Sequence, residues 1–176
     1  MNRVGFSMRS IVVITLLMIA FSVFARGVYQ TDEAFLAEAF NDEVPKSQVV
    51  WVKGDLRTSI SDILGHRYAG LRIRYWHKDG RKAWILEEIG KEKPITFGII
   101  TVKDKVEKVK VLAFRESRGG EIRYPAFTQQ FDDAKLSENN LDRHIDGISG
   151  ATLSVRAMTA IVTLALYLDK FTSQQS

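Results

Sequence analysis

The chain has 176 residues, of which 45% are hydrophobic and 26% charged, a balance that suits a folded body and excludes a disordered or low-complexity chain. Its formal charge of +4 loses two units with Arg3 and Arg9, and the other basic residues alternate with acids, as in Lys103-Asp104-Lys105, so no nucleic-acid partner is expected. There is no cysteine, which excludes disulfides, Cys-bound iron–sulfur and zinc centres and c-type haem; His66, His77 and His144 lie on separate segments without ligand spacing, so no metal site is expected either.

Residues 1–10 carry Arg3 and Arg9 and no acid, and residues 11–24 are apolar except for Thr15 and Ser22. This run is shorter than the roughly 20 residues that span a bilayer, and it ends in Val23-Phe24-Ala25, with small residues at the positions a signal peptidase reads. Residues 1–25 are therefore read as a signal peptide, with an uncleaved anchor as the alternative. Either reading puts residues 26–176, taken as a single domain, outside the cytoplasm: in the periplasm, free or held at the inner membrane.

From Thr31 an N-cap residue precedes Asp32 and Glu33, with apolar residues at Phe35, Leu36, Ala39 and Phe40, which predicts a short helix ending before Pro45. Residues 48–53 are β-prone, and residues 59–64 suggest a brief helical turn closed by Gly65. Over residues 69–77, Leu71, Ile73 and Tyr75 alternate with Arg72, Arg74 and Trp76, then Lys78-Asp79-Gly80 turns the chain into residues 83–88. Residues 95–102 and 106–115 form a second strand pair around Asp104-Lys105, with Val109, Val111 and Ala113 set against Lys108, Lys110 and Leu112. The pattern predicts a twisted antiparallel sheet with one polar face. An irregular stretch follows, with Gly119, Gly120, Tyr124, Phe127 and Phe131. Residues 153–168 then place Leu153, Ala157, Met158, Ile161, Val162, Leu164, Ala165 and Leu168 on one stripe, an amphipathic helix that should pack across the sheet. The fold class is α+β.

Immediately before that helix stands Asp146-Gly147-Ile148-Ser149-Gly150-Ala151-Thr152. Free backbone N–H groups at a helix N-terminus and the helix dipole favour an anion there, small residues leave room for it, and a hydroxyl at Thr152 offers a place to hold a phosphate covalently. The plain structural alternative is that Ser149 and Thr152 cap the helix while Gly147 and Gly150 make a turn.

The seven-residue run resembles the flavinylation motif of the FMN-binding domain family, which includes the periplasmic FMN-carrying subunits of the sodium-translocating NADH:quinone reductase and of the Rnf complex. In that family a flavin transferase, dependent on FAD and magnesium, attaches FMN through its phosphate to the last Thr of the motif. The resemblance implies that Thr152 is the acceptor, that Asp146 assists recognition or attachment, and that Ser149, Gly150 and Ala151 complete the cofactor-binding turn. Upstream, residues 106–113 are similar to a family strand, and Glu116-Ser117-Arg118-Gly119-Gly120-Glu121-Ile122 resembles its acidic, glycine-rich loop. The larger subunits carry Thr, Pro and a further Gly where this chain has Ser117 and Arg118. The likeness covers residues 95–165 and does not extend over residues 26–94.

Glu116 and Ser117 are candidates to meet the flavin edge or the ribityl hydroxyls, against the alternative of an ordinary polar loop. Arg115 and Arg118 are weaker candidates for the phosphate or the reduced ring, Tyr124 and Phe127 for stacking on it, and His144 reads as a surface residue. No catalytic residue is assigned. The resemblance implies an exported electron carrier with FMN on Thr152, supplied by a membrane-bound donor and relaying to an extracytoplasmic acceptor. The alternative is a flavin-dependent reductase of a small-molecule acceptor; a non-redox domain would have no use for an intact Thr152.

Overall fold

Two tight turns set the sheet. In a computed structural model, which describes residues 27–175, strands β2 (Arg72–Lys78) and β3 (Arg81–Ile89) are joined by Asp79 and Gly80, with φ of 52° and 75°. Two successive left-handed residues are what a two-residue type I′ hairpin turn requires. Strands β4 (Pro94–Val102) and β5 (Lys105–Phe114) are joined in the same way by Lys103 and Asp104, with φ of 51° and 61°. With β1 (Ser47–Trp51) added beside β2, the five strands form an antiparallel meander in the order β1-β2-β3-β4-β5. The expected segment of residues 1–25 lies outside the described residues.

One face of the sheet carries the main core. Helix α1 (Asp32–Ala39) lies on the opposite face, whereas α2 (Gly54–Leu64) and α4 (Thr152–Ser173) cover this one, with the short α3 (Pro125–Thr128) and two 3₁₀ turns, Gly120–Arg123 and Gln129–Phe131, between β5 and α4. Trp84, Phe97 and Ile99 from the strands meet Met158, Ile161 and Leu164 from α4, all fully buried. Tyr75 stacks on Trp84 with centroids 5.0 Å apart, and the Trp84 indole N–H donates to Thr101 Oγ1 at 3.1 Å, so the largest core side chain leaves no polar atom unpaired. By length and composition alone α4 is apolar enough to cross a membrane, but its apolar side is spent on this core. The α+β architecture, with a twisted antiparallel sheet packed by the C-terminal helix behind the motif, is the one read from the sequence.

The second face differs from the expectation of a polar surface. Phe35 and Leu36 of α1 pack with Ala83, Ile100 and Leu112 into a second core. Gly98 makes this possible: a Cβ there would stand 2.7 Å from the Phe35 ring. The lysines of β5 that should have faced water are held by the same helix, since Glu38 pairs with Lys108 at 3.1 Å and with Lys110. Local alternation could not reveal this, because the partner helix lies some seventy residues upstream.

Three smaller differences share one cause, the absence of a local signal. Helix α2 starts at Gly54 rather than near residue 59; its N-cap, Lys53, offers no side-chain acceptor, and the start is pinned instead by Arg57, which donates to the carbonyls of Val52 and Tyr68 at 2.6 and 2.8 Å. Leu71 precedes β2 and is 70% exposed, while Ile73 and Tyr75 turn inward as expected. Leu153, in the first turn of α4, is exposed, whereas Ser154 and Ala157 beside it are buried.

Candidate functional site

The start of α4 is built by a four-residue turn. Ala151 N–H donates to the Ile148 carbonyl at 3.0 Å, and Gly150, the third residue of that turn, has φ of 81°, a conformation that glycine adopts without strain. Nothing lies within 4 Å of where a Cβ would stand on Gly147 or Gly150, so the turn is open to an approaching group. Ala151 is buried and is itself the N-cap; its carbonyl accepts from Val155 N–H at 2.9 Å.

That arrangement decides between the two readings of the small-residue run as a cap. Alanine has no side-chain acceptor, the first turn of α4 has no acid, and among the described residues neither Ser149 nor Thr152 uses its hydroxyl in a hydrogen bond. Thr152 is the first helical residue and is exposed. A 22-residue helix therefore presents uncapped N–H groups and the positive end of its dipole next to a free hydroxyl.

Asp146 is exposed to solvent, its backbone N–H donating to Gln130 Oε1 at 2.7 Å and its carboxylate standing 3.8 Å from the equally exposed His144. The acidic, glycine-rich loop is brought against the helix start through Gly119: its φ is 87°, and a Cβ would meet Ser154 Oγ at 2.6 Å and Ala151 Cβ at 3.4 Å. Glu116, by contrast, is committed to the β3–β4 turn, where its Oε1 accepts from the backbone N–H of Lys91 and Glu92 at 2.6 Å and of Lys93 at 2.9 Å. Desolvation pushes its pKa up, but these three donors and the Lys93 charge outweigh that and hold it below the usual carboxylate value. Ser117 and Arg118 are exposed beside it.

The other aromatic and basic candidates are occupied elsewhere. Phe127 is buried in the main core, edge-to-face with Phe131 at 5.8 Å, and so is not free to stack on a ligand. Tyr124 is half exposed and, with Tyr29, sandwiches Arg123 at 4.6 and 4.8 Å. Arg115 donates to Thr96 Oγ1 and the Pro94 carbonyl at 3.0 and 3.2 Å, which ties β5 to β4.

Beside the Ile148–Ala151 turn lies a cleft of about 330 Å³ that the sequence reading did not foresee. Leu153 and Arg156 of α4 form one wall, and His66, Glu88 and Ile89 the other. His66 Nε2 stands 3.0 Å from both Glu88 carboxylate oxygens, and this hydrogen bond raises the imidazole pKa above its ordinary value against the opposing effect of desolvation. The one available signal was spacing: Arg156 follows Thr152 by one helical turn and so shares its face. His66 and Glu88 carry none.

No curated protein and no solved structure matches the chain. The sequence model of the FMN-binding domain matches residues 90–167, which run from the β3–β4 turn through both β4 and β5, the glycine-rich loop and the Ile148–Ala151 turn into α4. That region, the two strands and the helix that hold Thr152 at the surface, is thus similar to the FMN-binding domain.

Proposed function

We propose that this protein is an exported electron carrier in which FMN is joined by a phosphoester to Thr152. The observation that carries the reading is the exposed Thr152 hydroxyl, without a hydrogen-bond partner among the described residues, at an uncapped helix N-terminus beside open glycines, within a region that matches a flavin-binding domain. The residues present suit the group: the free N–H groups of the first turn of α4 and its dipole match a phosphate, and Gly147 and Gly150 leave the space it needs.

Attachment needs FAD, magnesium and a flavin transferase. The Thr152 oxygen attacks the flavin-side phosphorus of FAD, the pyrophosphate bond breaks, AMP leaves and the hydroxyl proton is lost, so the protein gains one FMN less one water. Asp146, exposed to solvent six residues before Thr152, is the motif's candidate for recognition by the transferase. The Gly119–Ser154 contact fixes the glycine-rich loop against the helix start, and Ser117 and the free side of Glu116 are the loop's candidates for the ribityl chain. Bound flavin supplies the exchange of electrons, and the polypeptide holds and tunes it. A permanent bond suits a compartment from which loose FMN would be diluted away, and a membrane-bound donor would supply electrons for an extracytoplasmic acceptor.

Intact mass after denaturation tests the attachment. Full-length protein co-expressed with an active flavin transferase should gain one FMN less one water, and Thr152→Ala should gain nothing. An unmodified wild type in the presence of active transferase, or an adduct that persists in Thr152→Ala, would sink the assignment.

A further inference from the structure

Arg156 is the one feature of the cleft that nothing so far explains. It stands one turn after Thr152 on the same face of α4, lines the cleft, and its side chain makes no hydrogen bond or ion pair among the described residues. Arg115 is engaged with Thr96 and Pro94, Arg123 with two tyrosines, and Arg143 with Asp142 and the carbonyls of Asp132 and Asp133, while Arg118, exposed in the glycine-rich loop, does not line the cleft. Two large apolar side chains, Leu153 at 42% exposure and Ile89 at 59%, face the same space, and both are large apolar residues left at the surface. At its far wall the His66–Glu88 pair closes the cleft toward an adjoining hollow of about 470 Å³ between α2 and β3. A cleft of this size with two exposed apolar walls and an unpaired cation has the makings of a seat for a flat heterocycle with one polar edge.

We infer that this cleft receives the isoalloxazine ring of the flavin and that Arg156 is the cation that favours its reduced form. The inference rests on the attachment at Thr152 proposed above and adds the ring's position and the residue that tunes it. Leu153 and Ile89 cover the ring's apolar faces, and the guanidinium meets its polar edge. Reduction by two electrons and one proton leaves the ring with a single negative charge, so an unpaired guanidinium at that edge stabilises the reduced form relative to the oxidised one. The wall formed by His66, Glu88 and Ile89 lies outside residues 90–167, so the seat combines the flavin-binding domain with the strand and helix that precede it.

The test uses full-length protein co-expressed with flavin transferase, in wild type, Arg156→Gln, Arg156→Lys, Leu153→Ser and Lys170→Gln. The last removes an exposed cation from the far end of the same helix and controls for net charge. Intact mass first reports attachment in each sample. In loaded protein, the midpoint potential should fall about tenfold in reduction equilibrium with Arg156→Gln, about 30 mV for a two-electron couple, recover in Arg156→Lys and stay unchanged in Lys170→Gln. Quenching of flavin fluorescence by neutral acrylamide should be several-fold weaker than for free FMN and strengthen in Leu153→Ser. Loaded protein whose flavin is quenched as freely as FMN in solution, or whose Arg156→Gln potential matches Lys170→Gln, overturns the seat while leaving attachment standing. If mass shows no adduct, free FMN is titrated into the unloaded proteins: saturable binding weakened by Arg156→Gln keeps the seat and removes the tether, and absent or unweakened binding overturns the seat as well.

Discussion

Helix α4 is held at its far end by a buried ion pair, and cutting one side of it should destabilise the protein strongly. Lys82 of β3 and Asp169 of α4 are each 4% exposed, with Nζ 2.7 Å from Oδ1. The same ammonium donates to the Asp169 carbonyl and Thr172 Oγ1 at 2.9 Å and to Ser173 Oγ at 2.7 Å, so it also neutralises the negative end of the helix dipole. Lys82→Met leaves a buried carboxylate without its partner, a loss of about 3–5 kcal/mol. For a chain of 176 residues each kcal/mol moves the melting temperature by about 2–4 °C, so Tm should drop by roughly 6–20 °C. Asp169→Asn should cost somewhat less, because Lys82 keeps a carbonyl and two hydroxyls. The double variant Lys82→Met/Asp169→Leu should lose far less than the sum of its single changes. It removes both charges, and it strands neither hydroxyl, since Thr172 still donates to the Leu168 carbonyl at 2.8 Å and Ser173 to the carbonyl of residue 169 at 2.9 Å. Urea and thermal unfolding followed by far-ultraviolet circular dichroism measure wild type, the single variants Lys82→Met, Asp169→Asn and Asp169→Leu, and the double variant. Single variants that each cost under about 1 kcal/mol, or a double variant whose loss equals the sum, would refute a tightly coupled buried pair.

Three further outcomes follow from close contacts and from one titrating carboxylate. Gly119→Ala should cost about 2–3 kcal/mol, part from a left-handed φ and part from the 2.6 Å approach to the buried Ser154 hydroxyl; adding Ser154→Ala should recover the second part only, as read by urea unfolding. Gly98→Ala forces a methyl group to 2.7 Å from the fully buried Phe35 ring, with an expected loss of about 1–3 kcal/mol; a thermal midpoint equal to wild type would mean that α1 does not pack as described. The hydrogen bond from Lys110, opposed by desolvation and aided by Gln30 and Lys108, lowers the Glu38 pKa from 4.5 to about 2. A carboxyl whose folded pKa is depressed contributes stability above its unfolded value and loses it as pH falls through the folded one, so the α1–β5 clasp should weaken between pH 4.5 and about 2. Because Glu38 and Lys110 are about a third exposed and Lys108 about half, the effect should stay under about 1 kcal/mol, and Glu38→Gln should flatten that limb of the stability–pH curve.

Much of the fold was legible because it is written in local periodicity. Alternation marked the strands, Asp79-Gly80 marked a hairpin turn, and the apolar stripe of residues 153–168 marked α4. The run from Asp146 to Thr152 was equally legible as an open turn of small residues leading into a helix, since it is contiguous. What the sequence could not hold was the partner of each group. Glu116, a candidate flavin contact, gives one carboxylate oxygen to the β3–β4 turn twenty-odd residues upstream, and Phe127, a weak candidate for stacking, belongs to the core.

The sequence by itself determined the class of the protein, the sheet and its final helix, and a small-residue turn ending in a hydroxyl, because each depends on neighbours within a few residues. Only the tertiary structure decided that Ala151 rather than Ser149 or Thr152 caps α4, that α1 covers the second face through Gly98, and that Arg156 shares a cleft with His66 and Glu88. Those outcomes depend on which distant side chains satisfy or displace one another when the layers close. Periodicity and motif spacing carry no record of that competition.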